Sequence, residues 1–174
     1  MSVAYDYLRD ASQVEAIVPL LREAKVSAYD CETTGLDPHK DKVILASCST
    51  REKTWLVDTR DPRCLEVLRP WLEDEAAPKL GVNLTFDWLM AKGSSDIELE
   101  GCWDLMFAEQ ALTAGLQKGG VGLEALSSKY AGITRDKSLQ KSFIGHQGEF
   151  STGQLDYTAE DTAGRAGGQA TRDD

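Results

Sequence analysis

The sequence predicts an α/β fold, a mixed sheet in which a three-stranded antiparallel meander is extended by further strands and flanked by helices. Three observations predict it. Apolar runs at 26–31, 42–49 and 53–58 follow one another, the last two separated by the short polar link 50–52. Leu65, Leu68 and Leu72 then recur at helical spacing within 63–75. Beyond Pro78, short strand-like and longer helix-like stretches alternate, the pattern of helices packed on a sheet.

Each element has a local reason. Residues 3–8 read as a short strand, and Ser12 with Glu15 reads as a capping box opening an amphipathic helix to about Ala24. Residues 78–82 form a short buried strand and 85–92 a helix. Two further helices, 103–114 and 121–130, are parted by the Gly119-Gly120 breaker. Residues 132–153 read as irregular and polar, and a last helix carries 154–161. The thirteen residues from Thr162 hold three glycines and no large apolar side chain, so 1–161 reads as one domain and 162–174 as a polar, flexible tail.

Bulk properties narrow the classes. A chain of 174 residues suits one domain with a real core. No apolar run approaches the roughly 20 residues that span a bilayer, and the first residues lack the basic start and apolar stretch of a signal peptide. Cys31, Cys48, Cys64 and Cys102 show neither CxxC nor Cys/His spacing, which argues against zinc or a disulfide framework and favours a reducing cytoplasm. A net charge of −10 argues against a protein that holds nucleic acid mainly by charge attraction. One strip, 117–142, is nevertheless basic, with Lys118, Lys129, Arg135, Lys137 and Lys141 against Glu124 and Asp136. It reads either as a solvated mixed face or as a local surface for phosphates.

Chemistry is concentrated in three segments. Asp30-Cys31-Glu32 lies near the end of a strand, where residues two apart share a face, so the carboxylates stand side by side. Adjacent negative charges repel, and a hard divalent cation relieves the repulsion with the oxygen ligands it prefers. Gly35 and Pro38 shape the loop beyond, placing apolar Leu36 beside the acids. In the second segment, 81–87, a strand ends at Asn83 and a helix begins with Asp87 in its first turn, a position that favours a carboxylate for dipole reasons alone. In the third, Tyr157 and Asp161 are four apart and share a helix face. Each segment alone has an ordinary reading as surface acids or a helix start. Trp55, Trp71, Trp88 and Trp103 read as core, as do Met90 and Met106, and Asp104 as a helix-start residue.

Together, in this order and spacing, Asp30/Glu32, Asn83/Asp87 and Tyr157/Asp161 resemble the three motifs of the DEDD exonuclease superfamily. The likeness runs from about Val3 to Asp161 and is closest in pattern to the proofreading exonuclease domain of family A DNA polymerases and to ribonuclease D. The histidine branch places His five residues before the last acid; that position is Asp156, so the chain resembles the tyrosine branch.

The resemblance implies a ribonuclease H-like fold and 3′→5′ hydrolysis of single-stranded 3′ ends, DNA favoured, using two divalent ions, Mg²⁺ or Mn²⁺. It implies that Asp30, Glu32 and Asp161 hold one ion and Asp30 with Asp87 the other, roughly 3.5–4 Å apart. Tyr157 is implied to orient the attacking water, and Thr34 and Leu36 to contact the terminal nucleotide, with Phe86, Asn83 and Gln154 as weaker contacts. A polymerase is the implied partner, with self-association as the alternative. Two other readings stand beside this one: a ribonuclease D-like exoribonuclease, and a catalytically weak nucleic-acid-binding module.

Overall fold

A computed structural model describes residues 5–116 and 120–134, all within one compact unit, Met1–Arg135. The elements run β1 (Tyr5–Leu8), α1 (Ala11–Glu23), β2 (Ser27–Thr33), β3 (Val43–Ser49), β4 (Thr54–Asp58), α2 (Pro62–Leu72), β5 (Lys79–Gly81), α3 (Leu84–Ser95), β6 (Cys102–Asp104), α4 (Leu105–Leu112) and α5 (Leu123–Leu126). A π-helical turn, Ser127–Ala131, follows α5. The strands form one six-stranded mixed sheet in the order β1-β4-β3-β2-β5-β6. Strands β2, β3 and β4 are the predicted antiparallel meander, while β1, β5 and β6 add in parallel.

Three elements and three core assignments differ from expectation. Helix α1 is capped by Asp10, whose Oδ1 accepts from Gln13 N at 3.0 Å, while Gln13 Oε1 accepts from Arg9 N at 2.9 Å. The box therefore sits two residues earlier than Ser12/Glu15, and Ser12 Oγ donates to Asp10 Oδ1 at 2.6 Å. Strand β6 occupies the start of the stretch read as helix 103–114, because its backbone pairs with β5 (Leu80 opposite Trp103). As an edge strand it leaves Trp103 67% exposed, and Trp88 on α3 is 38% exposed, so these two tryptophans are not core. Met106 is half-buried rather than core. The predicted helix 121–130 is a single α turn continued by the π turn.

The core lies between the sheet and α1, α2 and α3. Val14, Ile17, Val18 and Leu21 of α1 and Leu65, Leu68, Trp71 and Leu72 of α2 turn inward, and Tyr29 meets Trp71 edge-on with ring centroids 6.0 Å apart. Lys79 is wholly buried, its ammonium donating to the carbonyls of Asp74 (2.9 Å), Ala77 (2.7 Å) and Glu100 (2.9 Å). Three carbonyl partners use all three donors of the ammonium, so the buried charge is stabilised by the loops it ties to β5. No helix among the described residues is long and apolar enough to cross a membrane.

Candidate active site

Strand β2 alternates as its sequence requires. Tyr29 and Cys31 enter the core, and Asp30 and Glu32 emerge together on the opposite face. Strand β5 is only three residues long and pairs with Ser27 and Ala28 alone, so the edge of β2 opens beyond Ala28. Asp87, in the first turn of α3, takes that opening. Its Oδ1 accepts the backbone N–H of Cys31 at 2.9 Å, and the residue is 4% exposed. The carboxylate thus satisfies a strand donor that would otherwise be buried without a partner, and in doing so it stands beside the acid pair.

The electrostatics follow from this crowding. Burial, reinforced by the charge of Asp30, pushes the Asp87 carboxyl up to about 6, against the opposing pull of its bonds to Cys31. Glu32, though an exposed residue, is also raised, first by desolvation and then by Asp30. The Cys31 thiol, buried between β2 and Asp87, is driven up by desolvation first and by Asp87 next, so it is a core residue and not a nucleophile. Carboxyl groups that lose water and repel one another are a donor set for a hard divalent cation, which reverses the cause of both shifts. Among the described residues, no group of three His, Cys, Asp or Glu side chains is close enough to hold an ion by itself. The predicted fourth acid, Asp161, lies outside the described residues, as do Tyr157, Gln154, the predicted helix 154–161 and the tail 162–174.

The start of α3 is held by Asp104, which the sequence marks only as a helix-start residue. Asp104, capping α4 through Met106 N (2.8 Å), also accepts from Asn83 N (3.1 Å) and Leu84 N (2.9 Å). One carboxylate therefore caps two helices, the first of them the helix that bears Asp87. Asn83 has φ 65, in the left-handed region that asparagine tolerates, and its side chain makes no capping bond. That backbone demand is a sufficient reason for asparagine there. Phe86 packs half-buried against the core, which favours its structural role over stacking.

Beyond β2 the loop presents Leu36 at 82% exposure. Thr34 is exposed, its hydroxyl donating to Asp41 Oδ1 and accepting from Lys42 N, each at 3.0 Å. It shapes the loop instead of standing as a free donor. Of the basic strip, Lys129 pairs with Glu109 at 2.6 Å, an ion pair that Tyr130 OH joins at the same distance, while Lys118, Arg135, Lys137 and Lys141 lie outside the described residues. An open, largely apolar groove of about 490 Å³ runs beside the start of α3, lined by Leu84, Thr85, Trp88, Leu99, Trp103 and Phe107 among others.

The profile of a 3′-5′ exonuclease family matches residues 5–163. The chain belongs to that 3′-5′ exonuclease family. Among curated relatives, DNA polymerase I of Pseudomonas aeruginosa is 27% identical over 144 residues and DNA polymerase I of Rhizobium leguminosarum 27% over 160. Each alignment takes in 75% of this chain and 16% of the relative, so the chain spans about a sixth of those polymerases. The fold matches the catalytic core of Trypanosoma brucei RRP6 with TM-score 0.71 at 16% identity, over 93% of this chain and 42% of that one. It also matches Trypanosoma brucei RNase D in complex with RNA U12, with TM-score 0.68 at 18% identity, over 81% and 51% of the two chains. The six-stranded mixed sheet is thus the ribonuclease H-like architecture expected of this 3′-5′ exonuclease family.

Proposed function

We propose that this chain is a metal-dependent 3′→5′ exonuclease that removes nucleotides from single-stranded 3′ ends. The observation that carries the reading is the convergence of Asp30 and Glu32 on β2 with buried Asp87 on α3, two of the three held above the usual carboxylate range. Asp30, Glu32 and Asp161 would hold one divalent ion and Asp30 with Asp87 a second, with Mg²⁺ or Mn²⁺ the ions that such oxygen donors suit. A fold neighbour, NrnC of Brucella melitensis, has been solved with bound Mg²⁺, which supports the choice. When bound, such ions supply an acidified water and offset the charge that builds on the departing 3′ oxygen. Tyr157, of the tyrosine branch, orients the attacking water by hydrogen bonding. Leu36 presses on the terminal base, which must leave its stack for the scissile phosphate to reach the acids. Asn83 and Gln154 are secondary phosphate contacts.

DNA is the favoured substrate, because the relatives aligned by sequence are DNA polymerases I. RNA is the second reading, favoured by likeness in fold to RRP6 and to RNase D bound to RNA. The polymerase likeness makes a polymerase the partner to test, and the open groove beside Trp103 makes self-association the alternative. Four free thiols, three of them buried, support a reducing compartment. The deciding experiment incubates end-labelled single-stranded DNA and RNA with Mg²⁺ or Mn²⁺, beside an Asp30→Ala variant. Stepwise loss from the 3′ end by the wild type alone is expected. Degradation that survives in the variant overturns the mechanism, and indifference to a blocked 3′ end overturns the polarity.

A further inference from the structure

We propose that Asp41 and Gly93 are positioning residues that clamp the Leu36 loop onto the helix bearing Asp87, and so set how firmly a terminal nucleotide is gripped; this rests on the reading of Leu36 as the residue that meets it. Two observations, one at each side of the loop, carry the inference.

At the tip, a single carboxylate brackets the exposed leucine. Asp41 Oδ1 accepts from Thr34 Oγ1 at 3.0 Å and Asp41 Oδ2 accepts from Asp37 N at 2.9 Å, so the residues on either side of Gly35-Leu36 are tied to one group. Asp41 N in turn donates to Asp37 O at 2.7 Å. The chain passes so close over Asp41 that a Cβ at Gly35 would lie 2.6 Å from the Asp41 Cγ and displace the carboxylate. An 82% exposed leucine is thereby held on a short, doubly tied arch that restricts its motion.

At the base, the arch is seated on α3. A Cβ at Gly93 would collide with the carbonyl oxygen of Pro38, so only glycine allows that approach. Lys42 Nζ donates to Gly93 O at 2.8 Å and Val43 N donates to Ser94 Oγ at 3.0 Å, fixing the returning strand to the same two helical residues. The first turn of α3 carries Asp87. One rigid helix therefore sets both the acid at the site and the seat of the leucine arch, and the distance between chemistry and grip is fixed by α3 rather than by the loop itself.

The test uses the whole chain in three arms. Equilibrium binding of a fluorescent single-stranded oligonucleotide with a free 3′ end is measured alongside steady-state hydrolysis, and trypsin cutting after Lys40 and Lys42 reports on the arch. Asp41→Ala is expected to weaken binding and raise KM on the order of 10-fold with kcat changed less than threefold, and to speed trypsin cutting at an unchanged melting temperature. Asp41→Asn restores all three, because an amide can accept from Asp37 N and donate to Thr34 Oγ1. Gly93→Ala reproduces the Asp41→Ala pattern from the other side of the loop. In a Leu36→Ala background, Asp41→Ala adds no further loss of binding. Equal binding by Asp41→Ala and wild type, failure of Asp41→Asn to rescue, or additive losses with Leu36→Ala each overturn the proposal. A wild type that binds the oligonucleotide without hydrolysing it overturns the exonuclease reading while the binding arm still decides the clamp. A wild type that does neither overturns both.

Discussion

Asp87 Oδ1 accepts the Cys31 backbone N–H at 2.9 Å, so the acid of α3 is bonded to the residue between the two acids of β2. This one bond registers helix against strand and sets the acid of α3 beside the strand that carries the other two. It also separates two functions of Asp87 that mutation can split, as an acceptor for the strand and as a charge for a cation. Asp87→Asn keeps the acceptor and removes the charge. Its expected phenotype is a folded protein with near wild-type circular dichroism and a rate of 3′ nucleotide release lowered roughly 100-fold or more, measured in saturating Mg²⁺.

Acidity at the same residue gives a pH signature in metal-free protein. The folded-state pKa of Asp87, about 6, exceeds the ordinary carboxylate value, so the folded state binds this proton more tightly than the unfolded chain does. The stabilisation from that proton is complete below the unfolded value near 4 and is lost as pH rises through about 6. Urea denaturation in a chelator should therefore show the Asp87→Asn protein gaining on the wild type between pH 4 and 6.5, on the order of 3 kcal/mol across the window. A difference that stays flat with pH would mean that the carboxyl titrates normally.

Added Mg²⁺ or Mn²⁺ should reverse that penalty. A ligand that binds only the folded state at 100 times its Kd adds about 2.7 kcal/mol of stability. The melting temperature of the wild type at pH 7.5 should rise with metal concentration, and the rise should be largely abolished in Asp30→Asn. Equal metal-induced shifts in both proteins would place the ion somewhere other than the acid pair.

Asp104 predicts a coupled loss. Asp104→Ala leaves the N–H groups of Asn83, Leu84 and Met106 without their shared acceptor. A stability loss of about 1–3 kcal/mol is expected in urea titrations, with lower activity at temperatures where the variant is still folded, because the start of α3 carries Asp87. Activity equal to wild type at matched folded fraction would confine Asp104 to stability.

Lys79 tests the buried hub. Lys79→Met fits the apolar stem but strands three carbonyls that the ammonium now joins. About 2–4 kcal/mol of destabilisation is expected, readable as a lower urea midpoint at unchanged slope.

The sequence by itself determined the meander, the sharing of one face by Asp30 and Glu32, and the placement of Asp87 in the first turn of a helix. These depend on local periodicity, which a strand or helix expresses wherever it sits. It also carried the motif order that identifies the family. Tertiary structure decided what periodicity does not encode. The short β5 opens the edge of β2, and only that opening gives Asp87 a backbone partner at Cys31. Strand pairing with β5 turned residues 103 and 104 from helix to edge strand and left Trp103 in the open. Asp104 reads in sequence as an ordinary helix-start acid and Asp41 carries no motif, because their partners lie on other elements or across a turn. Gly93 gave no sequence signal beyond a glycine just past the predicted helix 85–92, since its reason is a carbonyl 55 residues earlier in the chain, that of Pro38. Contacts between segments distant in sequence are set by how the sheet and helices pack, and that packing is where the site acquires its geometry.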